Sequence, residues 1–84
     1  LLSHGSKRRI LLDQGVPKGV RSALSDFDVR SAYQMGWQQL SNGTLIDAAE
    51  ADGFDLVLTC DQNIRQQQNL EGRRIAIVVL QTNH

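Results

Sequence analysis

The chain has 84 residues, room for one small domain that buries only roughly 60% of the surface its unfolded form exposes. Its nine basic and nine acidic residues cancel, so no overall field draws in nucleic acid or an anionic membrane, and a polyanion partner must be met by a local patch. A single cysteine, Cys60, excludes an internal disulfide and a Cys-rich zinc site; with no apolar run near the ~18 residues of a membrane span and no secretory leader, the expected location is cytoplasmic.

Residues 1–7, LLSHGSK, show neither strand nor helix logic and read as a linker or disordered leader, so that a single domain is expected from residue 8 onward. RILLD, residues 9–13, is a short continuous apolar run of the kind that suits a strand buried on both faces, and it ends on Asp13. In the segment that follows, Pro17 suits a first helical position, where its missing N–H costs nothing. Val16, Val20, Ala23 and Leu24 then fall on one face of a predicted helix, with Lys18, Arg21 and Ser22 on the others. A β-compatible segment lies around residues 28–31, and the pattern breaks at Gly36, which Tyr33 and Trp37 flank. Trp37 can stack on a base or cap the edge of the core.

From Asn42, a good N-cap, Leu45, Ile46, Ala48 and Ala49 recur at helical spacing, and Gly53 closes the helix at the C′ position. FDLVLT, residues 54–59, is a second buried strand ending on Thr59, with Cys60 and Asp61 directly after it. NIRQQQNLEGRR is a polar connection with room for one helical turn, and IAIVVLQ is a third buried strand. That last run is apolar on both faces and a covering C-terminal helix is expected beyond it; left uncovered, such a strand is an edge liability that a homodimer would relieve.

Continuous apolar strands alternating with amphipathic helices point to an α/β class, a small parallel-sheet α/β/α domain of about four strands. The expected order puts the first strand in the middle, the 28–31 strand on one side and the 54–59 and 74–80 strands on the other. This creates a switch point between the strands ending in Asp13 and Asp61, where ligands bind in open α/β sheets. Two carboxylates side by side repel, and call for a cation, basic groups or amide donors. Each acid alone also has a local reading: Asp13 can cap the following turn, and Asp61 can form an Asx-turn or N-cap the segment after it.

The stretches ILLDQGVP, LSNGTLIDAAEADGFD and LVLTCDQNI, together with MGWQQLSNG and QQNLEGRRIAIVV, resemble the PIN-like domains of the DUF5615 group, related to the Mut7-C and VapC-type PIN ribonucleases. The resemblance covers roughly residues 9–82 and implies a cluster of acids at the carboxyl edge of the sheet that holds Mg²⁺ or Mn²⁺ for cleavage of RNA. By position, Asp13 and Asp61 match the first and last acids and would be catalytic metal ligands. Gln14, Asn42 and Asn63 stand where the family often has acids. An amide oxygen coordinates without charge, so the site would offer about two negative charges where such nucleases offer three or more. Asp47 and Glu50, on the predicted helix, would have to enter the site to compensate. Thr59 would line the pocket, and Lys18, Arg21 and Arg65 would present positive charge for phosphates.

Two functions follow as expectations: a metal-dependent endoribonuclease of toxin–antitoxin type with a weakened acidic site and an antitoxin chain as partner, or a non-catalytic PIN-like module that binds RNA, a small ligand or a protein. Neither involves a membrane. Cys60 reads as a packed thiol in both.

Overall fold

A computed structural model describes residues 7–17, 19–40, 42–61 and 74–81, with Asn42 described only in its backbone. The expectations for residues 1–6, Lys18, the connection 62–73 with Asn63 and Arg65, and residues 82–84 lie outside the described residues.

The elements run β1 (Arg9–Leu12), α1 (Gly19–Ala23), β2 (Asp28–Ser31), α2 (Asn42–Ala51), β3 (Leu56–Thr59) and β4 (Ala76–Val79). All strand pairs are parallel, in the order β2-β1-β3-β4. This is the expected α/β class and strand order. The register aligns Leu12 with Ser31 on one side and with Leu58 on the other.

The apolar runs are continuous because the inner strands bury both faces. Leu11 and Val57 point to one side, where Leu45, Ile46 and Ala49 of α2 join Phe54 and Ile75 in the larger core cluster. Ile10, Leu12, Val29 and Leu58 point to the other, against Val20 and Leu24. Trp37 meets Phe54 edge to face with centroids 6.0 Å apart, so it caps the core edge.

Two glycines end helical turns in the same way. Gly53 has φ +90°, its N–H donates to the Glu50 carbonyl (3.2 Å), and the Phe54 N–H donates to the Ala49 carbonyl (3.0 Å). That 5→2 and 6→1 pair is a Schellman closure, with Phe54 supplying the apolar contact that accompanies it. Gly36, at φ +76°, repeats the pattern on the turn after β2, with Gly36 N–H to Tyr33 O (3.0 Å) and Trp37 N–H to Ala32 O (2.8 Å).

Two expectations need correction. The helix begun by Pro17 is only the five residues of α1, with none fully buried and Ala23 exposed. It is flanked by tight turns, Val20 N–H to Pro17 O, Leu24 N–H to Arg21 O and Phe27 N–H to Leu24 O, and Gly19 and two serines in this segment favour turns over a long helix. Residues 75–81 are not buried on both faces either. Ile75 is buried, but Ala76 and Val78 are exposed, because among the described residues β4 has a sheet neighbour on one side only, β3, and no described helix covers that face. Among the described residues no helix is long and apolar enough to cross a membrane.

The amino-terminal rim is held by Arg9. Its guanidinium pairs with Asp52 (2.8 Å), lies 3.8 Å from Asp28 and sits 4.2 Å from the centroid of the Phe54 ring, while its backbone N–H donates to Asp55 Oδ2 (2.8 Å). The opposite, carboxyl rim is thereby left to the polar residues that follow β1 and β3.

Candidate functional site

Asp13 leaves the end of β1 still tied to β3 by its N–H, which donates to Leu58 O (2.9 Å). Its carbonyl then accepts the Val16 N–H (3.2 Å), closing a turn over residues 13–16. The carboxylate is held on both oxygens: Gln14 N–H donates to Oδ1 (2.8 Å) and the Thr59 hydroxyl donates to Oδ2 (2.8 Å). Asp13 is half-buried, so these donors replace part of the water that an ionised carboxylate needs.

Thr59 ends β3 and is fully buried. Its oxygen also accepts the Asp61 N–H (3.1 Å), an ST-turn that directs the chain out of the sheet. Asp61 is half-buried two residues beyond. The two strand-end acids are therefore joined through one hydroxyl: Asp13 by its side chain, Asp61 by its backbone. Between β1 and β3, where the sequence suggested an open crevice for a cation, stands the side chain of Thr59.

The open space lies on the other side of Asp13. A cavity of about 620 Å³ spans the carboxyl ends of β1 and β2, lined by Leu12, Asp13, Gln14, Val16, Pro17, Arg21, Ser31, Tyr33 and Gln38. Asp61 and Thr59 are not among these walls. Gln14 fixes one border by donating from Nε2 to the Gln38 carbonyl (2.8 Å). Arg21 fixes another: its Nη2 donates to Val29 O (3.0 Å) and to Gln34 Oε1 (2.6 Å), and the same Gln34 oxygen accepts the Ser31 N–H (3.0 Å). Ser31 Oγ returns the bond by accepting the Gln34 N–H (3.0 Å).

Of the residues expected from the sequence, the structure brings together Asp13, Gln14 and Arg21 at the cavity, with Thr59 behind Asp13. Asn42 opens α2. Glu50 belongs to the far rim, where it accepts the Arg74 N–H (2.8 Å) just before β4, so it does not join Asp13. Asp47 is exposed on α2. Cys60 is half-buried, close to the 13–16 turn: a Cβ placed on Gly15 would lie 3.9 Å from the Cys60 Cβ. Ser31, Tyr33 and Gln38 line the cavity without having been expected there; Ser31 and Tyr33 come with the end of β2, and the signal for Gln38 was Gly36, whose turn brings residue 38 back to Gln14.

As a metal site, the described residues fall short of the acid cluster that the resemblance implies. Among them no group of three or more His, Cys, Asp and Glu side chains is placed to hold an ion, and Asp13 already accepts a protein hydrogen bond on each oxygen. In comparisons with known proteins, no family model, no curated protein and no solved structure matches the chain.

Proposed function

We infer that this chain is a PIN-like binding module whose pocket at the carboxyl rim of β1 and β2 receives a ligand without cleaving it. The motif resemblance and the β2-β1-β3-β4 order support the fold half of this reading. One observation carries the rest: Asp13, the acid at the first motif position, is immobilised by Gln14 and Thr59 and faces a 620 Å³ cavity whose other polar walls are two amides, two hydroxyls and Arg21. A carboxylate so engaged is a fixed acceptor in a mainly apolar recess, the usual composition of a ligand site.

Amide NMR on the labelled protein, titrated with single-stranded RNA and with small ligands, tests this. Saturable shifts at Leu12, Asp13, Val16 and Tyr33 are expected. RNA cleavage by the pure protein that disappears in Asp61→Asn would overturn the reading.

The pairing of β1 with β3, which sets Asp13 and Asp61 at the ends of neighbouring parallel strands, favours a second reading, a weak PIN-type ribonuclease in which these two acids hold Mg²⁺ or Mn²⁺. Calorimetry showing no metal binding up to about millimolar concentration, together with intact RNA, would remove it. A toxin–antitoxin setting rests on the resemblance alone. Exposed Val78 on β4 supports the proposal that two copies associate along that strand, and light scattering that shows only monomer at high concentration would discard it.

A further inference from the structure

We propose that the β1–β2 cavity is a site for a small ampholyte, a molecule with an anionic group and N–H donors on one flat apolar body. The proposal rests on the binding-module reading and specifies its ligand.

The cavity carries two opposite charges. Asp13 uses one acceptor position on each oxygen for Gln14 and Thr59, about half of what an ionised carboxylate can accept. Arg21 spends Nη2 on Val29 O and Gln34 Oε1, which leaves Nε and Nη1 for a ligand. Among the described residues Arg21 has no carboxylate partner; the ion pairs there belong to Arg9 and Arg30. A guanidinium fork without a counter-charge matches a carboxylate or phosphate.

The rest of the lining is largely apolar. Leu12, Val16 and Pro17 form the apolar wall, and Tyr33 stands at the mouth with 72% of its surface exposed. An aromatic side chain held that far out of the core offers a face on which a ring stacks. The volume of about 620 Å³ lies within the ~300–1,000 Å³ of small-molecule sites. A neutral apolar ligand would leave both charges facing it without partners, and an inorganic anion would leave the apolar wall wet and face Asp13 with like charge. An ampholyte meets all three surfaces at once.

Two sources share this chemistry: an aromatic amino acid, with carboxylate for Arg21 and ammonium for Asp13, and a nucleoside monophosphate, with phosphate for Arg21 and base N–H groups for Asp13. The full chain, labelled for amide NMR, is titrated separately with L-tryptophan, with adenosine 5′-monophosphate and with uncharged indole. Saturable shifts at Leu12, Asp13 and Tyr33 are expected with one of the two ampholytes, with a Kd below about 1 mM, and indole is expected to bind about tenfold more weakly or less. Which ampholyte binds identifies the source.

Arg21→Lys, which keeps the charge but loses the fork, and Tyr33→Ala, which alters only an exposed ring, should each weaken binding about tenfold. Equal binding of indole and the ampholytes, or wild-type affinity in both variants, overturns the proposal. So does the absence of shifts with either ampholyte. If single-stranded RNA still shifts the cavity amides in that case, the binding module stands and only the ligand class is wrong; if it does not, both readings fall.

Discussion

Thr59 shows how much one side chain decides. It is fully buried, donates to Asp13 and accepts from Asp61, so its hydroxyl satisfies one half-buried acceptor and one N–H together. Thr59→Val keeps the shape and deletes the oxygen. It should cost about 1–3 kcal/mol, because both partners lose their hydrogen bond in a place that water reaches poorly. Thr59→Ser keeps the bonds and should cost about 1 kcal/mol for the lost methyl. Urea unfolding of the two variants checks the order; a Val variant as stable as wild type would show that water takes over the bonds. Gly53 gives a second residue-scale test. At φ +90°, with Arg9 Nη1 3.4 Å from a built Cβ, Gly53→Ala should lose about 1–2 kcal/mol from backbone strain, read as a lowered unfolding midpoint. Arg9 Nη1 is the end of a flexible side chain that can shift, so the strain term dominates.

At the scale of elements, the outer edge of β2 is closed by side chains. Asp28 and Ala32 donate their N–H groups to Arg8 and Leu12 beside β1, so alternation directs the Val29 carbonyl and the Ser31 N–H away from the sheet. Arg21 and Gln34 meet both of these groups and bond each other. A blocked edge cannot template pairing with another chain. The double variant Arg21→Ala, Gln34→Ala should therefore self-associate at concentrations where the wild type does not gain mass by light scattering, and no change in mass would show that the clamp does not guard the edge. The same contacts explain why so short an α1 suffices: Arg21 reaches β2 as a strut, while Val20 and Leu24 pack on the smaller cluster.

For the whole molecule, the larger cluster around Leu11, Ile46 and Val57, all fully buried, ties α2 to β1 and β3. A domain of this size has about 5–15 kcal/mol of stability at most. Ile46→Ala should remove about 2–5 kcal/mol, enough to broaden or abolish cooperative thermal unfolding. Circular dichroism melting measures it, and an unchanged midpoint would mean that α2 contributes little to the global core.

Much of this architecture was legible in the residues. Continuous runs such as RILL and LVLT need two covered faces, and that requirement pointed to a parallel sheet covered by helices; the expected strand order is the observed one, although apolar runs alone do not fix an order. Gly53 marked the end of α2 because a residue with positive φ favours glycine. Less legible was α1, whose spaced apolar residues suited a helix that the local turns cut short. The exposure of β4 was also hidden, since IAIVV is as apolar as a buried strand and only its neighbours determine what it faces.

By itself, the sequence determined an α/β chain with Asp13 at the end of one apolar strand and Asp61 just past the end of another, because hydrophobic period and strand length are local properties. Only the tertiary structure decided what lies beside Asp13. The hydroxyl of Thr59, forty-six residues away in the chain, stands behind it at the β3 side, while the end of β2 sets Tyr33, and the turn at Gly36 sets Gln38, on the other. Where a cavity opens depends on which distant side chains fill the space between strand ends, and spacing along the chain carries no record of that.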